Sequence, residues 1–188
     1  METKEPTVEQ LVDRCLAGDQ SAVVLLINRY QAMVFGLCFR MLGHRQDAED
    51  VVQESFVRAV RALNRWDRNR DFKPWLLAIA GNRCRTHLSK RGRRAQPAEL
   101  VEDLPDQSPD AQAARNLAEE VQLALREVRE EYRRAFLLYH EEELSYAEIA
   151  EALDCPVGTV KTWVHRARRQ LIERLRRRGV VHEVRHEA

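Results

Sequence analysis

No stretch of the 188-residue sequence is apolar over the roughly 20 residues that a bilayer span requires. The longest apolar runs, Ala22–Ile27 and Trp75–Ala80, are far shorter. Met1–Pro6 is polar and no apolar segment follows it, so no secretory leader is expected. Cysteine is sparse. Cys15, Cys38, Cys84 and Cys155 show neither a CxxC pair nor metal-ligand spacing, which reads as reduced thiols packed in a cytoplasmic protein. His44, His87, His140, His165, His182 and His186 form no HExxH or paired-ligand arrangement, and no Gly-rich phosphate loop is present. The sequence therefore gives no reason to expect an enzyme, a metal or a cofactor. Aromatics make up only 6%, with 7 Gly and 6 Pro. Ala, Leu, Arg, Glu and Gln dominate instead, which predicts an all-α fold.

Net charge is also nearly absent, at +1, but its distribution is uneven. Arg58 to Arg94 holds twelve Lys/Arg against two Asp, a local net of +10. Pro97 to Asp110 holds five acids and no base, and Lys161 to Arg178 holds eight Lys/Arg against one Glu. Two basic blocks flanking an acidic one fit two contacts with an anion, and they also fit solvated helix faces. Composition does not decide between them.

Hydrophobic periodicity predicts the elements. Val8, Leu11, Val12 and Cys15/Leu16 recur at helical spacing up to a break at Gly18–Asp19. Ser21 is the expected cap of a second helix that ends near Gly43. A third helix, Asp47 to Leu63, carries the stripe Val52, Phe56, Ala59 and Leu63. A polar turn, Trp66–Asp71, precedes a fourth helix with Pro74 near its start and Trp75, Leu76, Ile79 and Ala80 on its inner face. Residues 1–95 thus read as one helical domain, 96–112 as an acidic, Pro-containing linker, 113–178 as a second domain and 179–188 as a tail. In the second domain Leu117, Val121, Leu125 and Val128 form one stripe, and Phe136 with Tyr139 continues it.

The stretch after Leu144 is the most informative. Ser145 followed by Glu148 is a capping box, so a short helix Tyr146–Leu153 is expected, stopped by Asp154-Cys-Pro156. A second helix from about Val157 turns Val160, Val164, Ala167 and Leu171 inward and Lys161, Thr162, His165, Arg166 and Arg169 outward. Two short helices, a tight turn and a basic outer face describe a helix-turn-helix whose second helix enters a DNA major groove. An ordinary helical hairpin with an exposed basic face is the other reading of the same pattern.

The run from Leu144 to Lys161, with Val164-His-Arg-Ala-Arg168, resembles the region 4.2 helix-turn-helix of extracytoplasmic-function sigma factors, the small two-domain promoter-specificity subunits of bacterial RNA polymerase. Asp47-Ala-Glu-Asp-Val-Val-Gln-Glu-Ser-Phe56 resembles their region 2.2, and Phe72-Lys-Pro-Trp-Leu-Leu-Ala-Ile-Ala-Gly-Asn82 their regions 2.3 to 2.4. The resemblance spans about Asp13 to Arg178. It implies that Asp47, Glu49, Asp50, Gln53 and Glu54 meet the beta-prime clamp helices of core polymerase, with the beta flap as a further contact on the core enzyme. It implies −10 contacts by Arg65, Trp66, Arg68, Arg70, Phe72, Lys73, Asn82, Arg83 and Thr86, with Trp66 and Phe72 as stacking platforms for unpaired bases. Trp75 is assigned to the core. For the −35 element it implies Lys161, Thr162, His165, Arg166 and Arg169, with Thr159 on a phosphate. Thr86, His87 and Trp163 depart from the residue types common in the family. Promoter DNA and an anti-sigma protein are the further partners implied.

A conventional dimeric helix-turn-helix regulator would share the basic helix. It would have no use for the Asp47–Phe56 motif, which separates the two readings.

Overall fold

A computed structural model describes residues 5–91 and 109–181. Most of the expected linker, residues 96–108, and the tail from 182 onward lie outside the described residues. The described residues form eight α-helices and no strand. They divide into two compact units, one within residues 5–39 and 45–91 and the other within 40–44 and 109–181.

The first unit is built on α1 (Val8–Leu16), α2 (Gln20–Leu42), α3 (Arg45–Ala62) and α4 (Phe72–Arg91), with a single 3-10 turn at Leu63–Arg65. A capping box between Thr7 and Gln10 opens α1. At the head of α2 the cap is Asp19, not Ser21. The Asp19 carboxylate accepts from the Ser21 N–H at 2.8 Å, the Ala22 N–H at 3.2 Å and the Ser21 hydroxyl at 2.7 Å, and pairs with Arg14 at 2.8 Å. Both residues are good caps, and two orphan N–H groups plus a guanidinium favour the carboxylate.

Helix α2 is long and apolar enough by length and composition to cross a membrane, which the short apolar runs did not lead one to expect. It also carries Asn28 and Arg29, and it gives Ala22, Leu26, Val34, Leu37 and Cys38 to the core. Cys38 and Cys84 are both fully buried, and a hydrogen bond with the Cys84 thiol, reinforced by burial, pushes the Cys38 thiol up. All four cysteines are free.

On α3 the buried residues are Ala48, Val51, Ser55, Phe56 and Ala59, while Val52 is half-buried. The stripe is rotated towards Val51 because Ser55 can be buried: its hydroxyl donates to the Val51 carbonyl at 2.6 Å. On α4 the inner face is Leu76, Leu77, Ala80 and Cys84, with Trp75 and Ile79 at its edge.

The second unit comprises α5 (Pro109–Arg126), α6 (Glu130–His140), α7 (Tyr146–Leu153) and α8 (Val157–Arg177). Helix α5 starts inside the expected linker, with Pro109 at the first helical position, where a missing N–H is harmless. Buried Arg133 donates from Nη1 to the Arg126 carbonyl at 3.2 Å and the Leu125 carbonyl at 3.4 Å. A cation on the terminal carbonyls suits the negative end of α5. The expected capping box is present, with Ser145 N–H donating to Glu148 at 2.7 Å and Glu148 N–H to the Ser145 hydroxyl at 3.2 Å. Asp154 closes α7 in the left-handed region at φ 50°.

Hydrogen bonds from Ser21 and Arg14 lower the Asp19 carboxyl to about 2. A depressed carboxyl stabilises the fold above the unfolded value of about 3.9 and loses that contribution as pH falls towards the folded one. Asp19→Ala is therefore expected to melt at a lower temperature than the parent at pH 7. Melts at pH 4, 3 and 2 are expected to show that difference shrinking.

Candidate nucleic-acid interface

Helix α8 presents its candidate DNA-reading residues as expected. Val160, Val164, Ala167, Leu171 and Leu175 face the core, and Lys161, Thr162, His165, Arg166 and Arg169 are exposed. Thr159 and Trp163 are half-buried, so Trp163 packs at the helix edge. The Thr162 hydroxyl donates back to the Gly158 carbonyl at 2.9 Å.

Both flanks of α8 rest on aromatic groups that its own sequence does not reveal. On one flank Lys161 Nζ lies 5.9 Å from the Tyr146 ring, which stacks on Tyr139 at 4.6 Å and 9°. Below it, Arg168 Nη2 is 2.9 Å from His140 Nε2. A guanidinium only donates, so Nε2 accepts and the imidazole is neutral. Burial, then the Arg168 charge, lowers the His140 pKa in agreement with that. On the other flank Arg166 Nη1 donates to the Tyr132 hydroxyl oxygen at 2.9 Å, and this bond chiefly lowers the phenol's pKa. In the distal part of the basic block two arginines are paired with α5 or its end: Arg174 with Glu127 at 3.4 Å, and Arg178 with Glu120, while Arg176 and Arg177 are exposed.

The candidate residues of the first unit are arranged differently. Glu49, Asp50, Gln53 and Glu54 are exposed along α3. Asp47 is half-buried, 3.3 Å from His87 of α4. Asp50, Gln53 and Glu54 border an open groove of about 1030 Å³ whose other lining includes Arg58, Arg61, Arg65, Asn82 and Arg83. The acidic row and part of the basic block thus share one surface, joined by a Glu54–Arg83 ion pair. Thr86 lies one turn beyond Asn82 and donates to its carbonyl at 2.9 Å.

Arg68, Arg70 and Lys73 lie away from this groove, in the loop and at the start of α4. Arg68 pairs with Asp13 of α1, and Arg70 with Asp67 at 3.2 Å. The two expected stacking platforms are corrected. Trp66 and Phe72 are 6% and 4% exposed, packed edge to face at 5.2 Å, and cannot offer a ring face to a base in this conformation. Phe72 also meets Tyr30 at 5.3 Å and Trp75 at 5.2 Å, so it is the centre of an aromatic cluster. Trp75, assigned to the core from its periodicity, is half-buried at the margin of that cluster. Among the described residues no group of three or more His, Cys, Asp or Glu could hold a metal ion.

Residues 26–94 match the sigma-70 region 2 family and residues 118–171 the sigma-70 region 4 family. The RNA polymerase sigma-H factor of Pseudomonas aeruginosa is 39% identical over 172 residues, covering 85% of this chain and 89% of that one. The ECF RNA polymerase sigma factor SigW of Bacillus subtilis is 33% identical over 187 residues, covering 92% and 98%. Among solved structures, CnrH in complex with the cytosolic domain of CnrY aligns with a TM-score of 0.66 at 27% identity, covering 89% of this chain and 96% of that one.

Burial separates the two tryptophans experimentally. Trp66→Ala is expected to cost about 3–5 kcal/mol in a urea melt, the range for emptying a buried aromatic site. Trp75→Ala, at a ring already partly in solvent, is expected to cost clearly less.

Proposed function

The chain belongs to the extracytoplasmic-function group of the sigma-70 family, and from that premise we propose how its surfaces divide the work of a sigma factor. The protein joins core RNA polymerase and directs initiation to promoters. We assign residues 1–95 to polymerase binding and to recognition and opening of the −10 element, and 113–178 to the −35 element and the beta flap. Residues 96–112 are the connecting linker and 179–188 a tail. Catalysis stays with the core enzyme, and the chain works in the cytoplasm.

The observation that carries this assignment is the shared groove on the first unit. Exposed Asp50, Gln53 and Glu54 stand on its α3 rim, where a cationic partner helix could take them in charge-assisted hydrogen bonds. Arg58, Arg61, Arg65, Asn82 and Arg83 supply phosphate and base donors beside them. A dimeric regulator would use α8 and leave this acidic rim without a role. With Trp66 and Phe72 buried, Trp75 becomes the aromatic candidate at the surface near the −10 residues. In the second unit the row Lys161, Thr162, His165, Arg166 and Arg169 reads the −35 major groove, with Thr159 on the backbone. The likeness to CnrH, solved bound to a cytosolic protein domain, supports an anti-sigma partner for this chain.

Reconstituted transcription with core polymerase on a randomised promoter library tests the assignment. Initiation dependent on this protein is expected, with a defined −35 and −10 preference. The Asp50→Asn, Glu54→Gln double variant is expected to retain its fold by circular dichroism and lose core binding at least about tenfold, a loss of about 1.4 kcal/mol. Undiminished core binding by that variant would remove the acidic rim from the polymerase contact.

A further inference from the structure

Two guanidinium groups approach the ring of Tyr132, Arg129 at 5.4 Å and Arg166 at 5.8 Å from its centroid. Tyr132 belongs to α6 and is 5% exposed, while Arg166 is exposed on α8. The bond between them is specific in its atoms: Arg166 Nη1 donates to the phenolic oxygen at 2.9 Å.

The choice of nitrogen matters. A guanidinium presents donors in a rigid planar fork, with one edge formed by the two Nη groups and a side edge formed by Nε and Nη2. The Tyr132 hydroxyl takes Nη1, which is not part of the side edge. The side edge keeps two parallel N–H groups, which match a pair of acceptors such as O6 and N7 of guanine. Ring and hydroxyl together also restrict a side chain that would otherwise lose much rotamer freedom on binding. A cleft of about 400 Å³ bounded by Tyr132, Arg166, Arg169, Gln170 and Glu173 lies open beside the pair.

We propose that Tyr132 is a positioning residue for promoter recognition: by holding Nη1 of Arg166, it directs the Nε–Nη2 edge to one guanine of the −35 element and sets specificity there. This rests on Arg166 being a base contact. Tyr132 itself touches no base. Its effect on base preference is confined to the base pair that Arg166 reads, and it depends on the hydroxyl's hold on Nη1.

Tyr132→Phe keeps the ring and its packing and removes only the hydroxyl. The test uses holoenzyme assembled from core polymerase and the full chain, with promoter DNAs carrying each of the four base pairs at every −35 position. In the parent, replacing one guanine is expected to weaken binding about 5- to 150-fold. Tyr132→Phe is expected to reduce that preference about threefold or more at that position only, and to have no further effect when combined with Arg166→Ala. If Arg166→Ala abolishes the preference while Tyr132→Phe preserves it, or weakens binding equally at all positions, the positioning role is overturned and the base contact stands. If Arg166→Ala leaves every −35 preference intact, the base contact itself is wrong and the positioning role falls with it.

Discussion

Intramolecular pairing of arginine is the constraint on which the rest of this structure depends. With 31 Lys/Arg against 30 Asp/Glu, the chain cannot direct a strong field at any partner unless it separates the two signs in space. It does so by neutralising selected cations internally. Arg14 with Asp19, Arg68 with Asp13, Arg174 with Glu127 and Arg178 with Glu120 are matched pairs between or beside helices. Exposed pairs of this kind add little stability. Their consequence is a local cancellation of charge. The first three turns of α8 are treated differently: the neighbours of Lys161, Arg166 and Arg168 are rings, a hydroxyl and a neutral imidazole. Those partners orient the cations and leave their charge in place. The face that remains positive is the face proposed to read DNA.

What could be read from the sequence was whatever depends on local spacing. The Ser145–Glu148 box, the stop at Asp154 and the inward row Val160, Val164, Ala167 and Leu171 are local features, and each takes the predicted place. Where two residues of equal propensity stood close together, spacing chose the wrong one. Asp19 and Ser21 both cap helices, and the guanidinium of Arg14, which favours Asp19, arrives from the preceding helix. Val51 and Val52 differ by one position, and a serine acceptable inside only through its bond to Val51 turned the helix by that amount.

The aromatic residues were the least legible. Trp66 and Phe72 sit among arginines in the segment that resembles the family's −10-reading regions, so the resemblance implied stacking platforms there. Trp75 follows a proline in an apolar run, so periodicity placed it inside. In the fold the loop packs on the first helix, with Arg68 on Asp13, and Trp66 lies against Phe72, which in turn meets Tyr30, while Trp75 is half-buried at the margin. Tyr132 escaped for the same reason. It stands 34 positions from Arg166, and no local pattern links a tyrosine on α6 to one nitrogen of an arginine on α8.

Separation of the signs is incomplete on α3 and α4, and this has a physical consequence for any attempt to assign the groove. Glu54 belongs to the acidic rim and Arg83 to the basic wall, yet each is the other's partner, with Arg83 the more buried of the two at 16% side-chain exposure. Removing the carboxylate alone leaves a largely buried guanidinium without its counter-ion, and the cost of that orphan adds to any lost contact. A weakened variant at Glu54 therefore reports two effects at once. Asp50 forms no ion pair with Arg83, so it reports the rim alone. Pairing Glu54→Gln with an Arg83 substitution in a double-mutant cycle separates the internal bond from the external one, because the coupling term contains only the former.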